Sequence, residues 1–233
     1  MSERSDGSSF WARFRRKATV ENTAPDQSTS VARIDPALAT RFSAVFDAKL
    51  WGEGETLSGP GSRLDNPMVI KAFSALDHAI DEFGVRSIAD IPCGDFNWFQ
   101  EVLKKHPDVA YAGFDIVPPL IEMNRAKFPG VKFLQFDIVS DVPGKFDLIF
   151  TKELFIHLKD SQVAQAIRNM KASGSKYMMA SNSFGVVNVD LAHAELGYAR
   201  PIDLCVEPFN LPAPLWRNDF YALWRLGDIH VGI

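Results

Sequence analysis

Ser87-Ile88-Ala89-Asp90-Ile91 runs straight into Pro92-Cys93-Gly94-Asp95-Phe96-Asn97-Trp98. The first five residues read as a short apolar strand. The proline and glycine that follow stop it. Trp98–Lys105 then has the composition of a helix. Beyond it the pattern repeats: strand Ala110–Phe114, helix Pro118–Phe128, strand Lys132–Phe136, strand Phe146–Phe150. Val163, Ile167 and Met170 mark one more helix face, and Lys176–Ser181 one more strand. Strands that alternate with helices predict a parallel sheet covered on both faces.

Upstream, a helix is expected over residues 36–50. Trp51 to Ser62 holds four glycines and a proline in twelve residues, which excludes regular structure there. Asn66-Pro67 reads as an N-cap with proline in the first turn. Val69, Phe73, Leu76, Ile80 and Phe83 then form one apolar helix face, and Gly84 supplies the stop. Downstream, residues 182–219 are irregular, with prolines at 201, 208, 212 and 214; Tyr221–Leu226 reads as a last strand.

A chain of 233 residues is enough for one sizeable core. A 46% apolar and 23% charged composition is ordinary for a globular protein. The formal net charge of −4 gives no overall pull toward nucleic acid or anionic membranes, so no nucleic-acid partner is expected. Two distant thiols, Cys93 and Cys205, suggest neither a disulfide framework nor a zinc motif; a reducing, cytoplasmic setting is the simplest reading. No apolar run reaches transmembrane length. We read residues 1–33 as a disordered or loosely held tail. Within it, Phe10 to Lys17 mixes aromatic and cationic residues. Against the reading of that piece as a solvated tail stands an amphipathic contact with a membrane surface or partner.

In open α/β sheets, ligands bind at the carboxyl ends of strands. Asp90, Asp115 and Asp137 stand at the ends of three successive strands, and the fourth leads into Thr151-Lys152-Glu153-Leu154-Phe155-Ile156-His157. A nucleoside with a charged tail suits these groups. Gly94 admits close backbone approach. Asp115 suits two ribose hydroxyls, Asp137 an adenine amino group, and the acids of the first loop an ammonium or sulfonium. A dinucleotide would prefer a glycine-rich turn aimed at its pyrophosphate, and Asp95 in that turn opposes phosphate. Helix N-capping competes for Asp115 and Asp137. Cys93 reads as a small packing residue beside the ligand, and Trp51 and Trp98 as wall or core aromatics.

These residues give the chain a resemblance to the class I S-adenosylmethionine-dependent methyltransferases. Asp90-Ile91-Pro92-Cys93-Gly94-Asp95-Phe96 keeps the first acid and central glycine of that class's first motif, and replaces the flanking glycines with Pro92 and Phe96. It is similar to a bacterial branch in which Pro-Cys-Gly-Asp-Phe-x-Trp is the usual form. Further motifs of that branch are matched by Ser58–Ser62, Gly113–Ile116, Lys152-Glu153 with His157-Leu158, Arg200–Leu204 and Pro208–Pro212. The resemblance covers roughly residues 50–227, and some relatives lie among genes for surface-polysaccharide decoration.

The resemblance implies a Rossmann-like fold, a mostly parallel seven-stranded sheet with helices on both faces. Residues 34–233 are expected to form one methyltransferase domain, with a helical cap over 34–84 and a substrate loop over 182–219. S-adenosylmethionine is the expected cofactor. Its expected contacts are Ser62, Asp90, Cys93, Gly94, Asp95, Trp98, Asp115, Ile116, Asp137, Ile138 and Lys152. His157 is the expected general base for a hydroxyl acceptor, since imidazole titrates near neutrality, with Glu153 orienting it or binding substrate. Four residues apart, the two would share a face if a helical turn began at 153, and the carboxylate would raise the histidine's pKa. Trp51, Arg200, Glu207 and Asn210 are expected substrate contacts, because long loops on α/β scaffolds often carry function. The expected acceptor is a small molecule or glycan; no metal is expected. A non-catalytic S-adenosylmethionine-binding module and a nicotinamide-dependent oxidoreductase are the rival readings.

Overall fold

A computed structural model describes residues 33–52, 54–191, 196–230 and 232. The tail read over residues 1–33, Arg33 excepted, and its patch at 10–17 lie outside the described residues. Seven strands form one sheet: β1 (Ser87–Asp90), β2 (Ala110–Asp115), β3 (Lys132–Gln135), β4 (Leu148–Thr151), β5 (Tyr177–Ser181), β6 (Trp216–Arg217) and β7 (Tyr221–Arg225). Their spatial order is β3-β2-β1-β4-β5-β7-β6. The first five run parallel, while β7 is antiparallel to β5 and β6. Order reverses between β1 and β4, which places the switch point at the loop after β1.

The central strands read as unbroken apolar runs because both faces are covered. Successive side chains point opposite ways. Ala89, Ala112, Ile149 and Met178 face one core, with α1 (Pro36–Asp47), α5 (Asp160–Ala172) and residues 202–211 packed against it. Ile88, Tyr111, Leu148 and Met179 face the other, beneath α2 (Pro67–Glu82) and α3 (Phe99–Lys105). The remaining helix, α4 (Pro118–Lys127), joins β2 to β3. Asn66 caps α2 by accepting from the Met68 N–H at 2.9 Å, and Gly84 follows with φ +65°.

Observed boundaries differ from the expected ones by one to three residues for physical reasons. The Ile91 N–H still donates to the Phe150 carbonyl, but Pro92 has no N–H, so the ladder stops. The Phe146 N–H is taken by Ser175 Oγ instead of a strand, so β4 starts late. The two-residue β6 interrupts the segment expected to be irregular.

Candidate active site

The loop after β1 is clasped by the glycine-rich segment before α2. Gly94 has φ +54°, and a Cβ there would overlap the Ser58 hydroxyl. Ser58 Oγ accepts from the Asp95 N–H at 2.9 Å and lies 3.2 Å from Asp95 Oδ1. Asp95 Oδ2 accepts from the Leu57 N–H at 2.6 Å. The first-loop acid therefore holds the two loops together.

Two carboxylates are buried beside this clasp. Asp115 accepts from the N–H groups of Gly94 (3.2 Å) and Val117 (3.1 Å). Burial nevertheless pushes its pKa up to about 6, outweighing those bonds. Asp90 accepts from the Tyr111 hydroxyl at 2.8 Å. Burial drives its pKa well above the usual carboxylate range, with Asp115 adding to the rise and Lys152 opposing it. Cys93, buried among these acids, has its thiol pushed up by desolvation, which disfavours the thiolate a nucleophile needs.

Across the cavity stand Lys152, Glu153 and His157. Lys152 is buried, 3.3 Å from Ser62 Oγ and 3.4 Å from Glu153 Oε2; desolvation lowers its pKa. Glu153 sits at φ +55°, with its N–H on Ser181 Oγ. That left-handed backbone breaks the helical turn expected from residue 153. A single 3₁₀ turn spans Phe155–His157, and α5 starts at Asp160. The expected rise in the histidine's pKa is also overturned. Desolvation lowers it, outweighing the Tyr198 hydrogen bond and the Glu153 charge. His157 Nδ1 lies 2.8 Å from the Tyr198 carbonyl, which only accepts, so Nδ1 carries the proton and Nε2 the lone pair. Arg41 from α1 donates to the His157 carbonyl.

These groups line one cavity of about 360 Å³, a size within the range of small-ligand sites. The sequence profile of a family described as "Methyltransferase domain" matches residues 88–174, the span from β1 through α5.

Over those residues the chain is similar to a methyltransferase domain.

Magnesium protoporphyrin IX methyltransferase (ChlM) from Synechocystis PCC 6803, solved with bound SAH, superposes with a TM-score of 0.54 at 10% identity. The match covers 81% of this chain and 97% of that one. PigF with SAH gives 0.52 at 14%, over 66% of this chain and 54% of its own. The sugar N-methyltransferase KedS8 from Streptoalloteichus sp ATCC 53650 gives 0.46 at 19%, over 71% and 62%. The chain thus spans about half to two thirds of the length of PigF and KedS8. What ChlM and PigF share with it is the Rossmann-like fold. S-adenosylmethionine is the methyl donor that a methyltransferase domain of this class uses.

Trp51, Ser62, Asp90, Cys93, Gly94, Asp95, Trp98, Asp115, Ile116, Lys152, Glu153 and His157 all line the cavity. Asp137 and Ile138 line a smaller adjoining space that shares Phe42, Pro92, Asp115, Ile116 and Leu154 with it. Three of Asp137's acceptor positions are taken by the chain itself: the N–H groups of Asp35 (3.0 Å) and Val139 (2.9 Å) and the Ser140 hydroxyl (2.6 Å). Arg200, Glu207 and Asn210 do not line the cavity. Arg200 is buried, donating to the Leu158 carbonyl at 2.9 Å and to Asp160 at 2.5 Å. Glu207 and Asn210 are exposed elsewhere on the long irregular segment. Phe42 and Phe46 of α1, Ile156, Gly197 and Ala199 line the cavity instead. Sequence reasoning missed those five, along with Ser58. The Ser58–Ser62 motif signalled the clasp; nothing local signalled the α1 face.

Proposed function

We propose that this protein binds S-adenosylmethionine in the 360 Å³ cavity and transfers its methyl group to a hydroxyl of a small-molecule acceptor. One observation carries the reading: Asp90 and Asp115 are buried on the cavity wall, and neither forms an ion pair among the described residues. Burial penalises both charges, and a cationic ligand with hydroxyl donors would relieve that penalty. A dianionic pyrophosphate would deepen it.

In this reading Asp115 holds the ribose hydroxyls, and Asp90 with the Gly94–Asp95 loop faces the charged amino-acid end. Cys93, Trp98, Ile116 and Ile138 supply apolar walls, while Ser62 and Lys152 suit a carboxylate. A carboxylate has about four acceptor sites, so Asp137 keeps one for an amino group. When bound, S-adenosylmethionine supplies an electrophilic methyl group on a sulfonium. His157 Nε2, whose lone pair is fixed by the Nδ1 bond, takes the acceptor's proton. Its lowered pKa keeps it unprotonated at neutral pH.

Calorimetry with S-adenosylmethionine and S-adenosylhomocysteine tests this. Asp115→Ala should weaken both by roughly 10- to 150-fold, the equivalent of ~1.5–3 kcal/mol for charge-assisted hydrogen bonds. No binding to the wild-type chain would sink the reading.

A further inference from the structure

We propose that the acceptor is a phenol: a planar aromatic molecule presenting one hydroxyl to His157. The inference rests on the methyltransfer reading and names its substrate class. The end of the cavity around His157 is built from rings. Trp51 lies 4.9 Å from the imidazole, with planes 32° apart. Phe42 stands edge-on to the imidazole at 6.3 Å and equally far from Trp51. Phe46 and Ile156 extend this apolar wall.

Polar groups are few there. His157 Nδ1 is spent on the Tyr198 carbonyl. Among the described residues, His157 Nε2 and Trp51 Nε1 are the ring nitrogens that make no hydrogen bond at this end. Lys152 and Glu153 pair with each other beside Gly61 and Ser62. A sugar brings several hydroxyls, and most would lose water here without gaining a partner. A flat aromatic ring matches the walls and brings one hydroxyl for one base. Edge-to-face and offset-stacked ring contacts favour it further.

Acidity points the same way. Desolvation makes His157 a weaker base than free imidazole. A phenol titrates near 10 and is far more acidic than water or an aliphatic alcohol. Proton transfer to Nε2 is thus several orders of magnitude less unfavourable from the phenol. In the reaction the phenolic O–H bond breaks and its proton passes to Nε2. The oxygen acquires the methyl group, and the C–S electron pair stays on sulfur, giving a neutral thioether and an aryl methyl ether.

The test uses the full chain saturated with S-adenosylhomocysteine, with that binding verified by calorimetry. Para-ethylphenol, catechol and β-naphthol are titrated against methyl glucoside and methyl rhamnoside, with tryptophan fluorescence and saturation-transfer NMR as readouts. At least one phenol should bind saturably and quench fluorescence. Its affinity should fall about tenfold in Trp51→Leu, which keeps apolar bulk but removes the ring. With methyl-labelled cofactor, the label should appear on the phenolic oxygen. Preferential binding or methylation of a glycoside would overturn the proposal. So would the absence of any phenol binding to a chain that binds the thioether product. Failure to bind that product would overturn the methyltransfer reading instead, and this one with it.

Discussion

Asp115 carries the sharpest pH signature. Its folded pKa of about 6 lies above the ordinary carboxylate value. An acid shifted upward favours the folded state below its unfolded pKa and withdraws that contribution as pH rises through about 6. Asp115 thus costs the ligand-free protein ~3 kcal/mol at pH 7, an amount recovered by about pH 4. Ligand binding has the opposite dependence, because hydroxyl donors need the carboxylate. At about pH 5 only a tenth or so of Asp115 is ionised, so calorimetry should find S-adenosylhomocysteine about tenfold weaker there than at about pH 7.5. Asp115→Asn should flatten that difference. For His157, replacement by Ala should lower turnover on a phenol by ~10²–10⁴-fold and leave S-adenosylhomocysteine affinity within a few-fold of wild type, about the span expected of a base. Turnover within a few-fold of wild type would rule that role out. Asp90, Asp115 and Lys152 were readable from sequence because each stands at a strand end. The positive φ of Glu153 and the Tyr198 carbonyl bond were not, since both depend on where distant chain returns.

Helices and strands announced themselves through period and punctuation. Asn66-Pro67 and Gly84 bracket α2, and the apolar runs of β1, β2, β4 and β5 follow from a sheet covered on both faces. A two-residue strand such as β6 has no period to detect. The clasp between loops was half visible: its glycines and serines stood out, but their partner, some 37 residues on, did not. That clasp makes a specific forecast. Gly94→Ala places a methyl group against Ser58 Oγ at a residue with φ +54°. Urea denaturation should show a loss of about 1–3 kcal/mol. Adding Ser58→Ala should recover only the steric part, leaving the backbone strain, so the double change should fall short of additivity.

The cavity is assembled from the whole chain: α1, the clasp before α2, the loops after β1, β2 and β4, and residues near 197–199. A ligand seated there adds contacts that tie these segments together. At about a hundred times its dissociation constant, S-adenosylhomocysteine should add ~2.7 kcal/mol. For a chain of this size that is a rise in Tm of roughly 5–10 °C, readable by differential scanning fluorimetry. A nicotinamide dinucleotide should produce no such rise. The same assembly has a consequence for biosynthesis. α1 is tethered by Arg33 to Asp141, Asp35 to Asp137 and Arg41 to His157, over separations of 108, 102 and 116 residues. A ribosome adding about 5–20 residues per second needs roughly 5–25 s to deliver those anchors. Through that interval Leu38, Phe42 and Val45, buried in the finished protein, have no native face to cover them. The helix that closes the cavity is therefore made well before its anchors and docked late, and it is an apolar stripe for nascent-chain chaperones to meet.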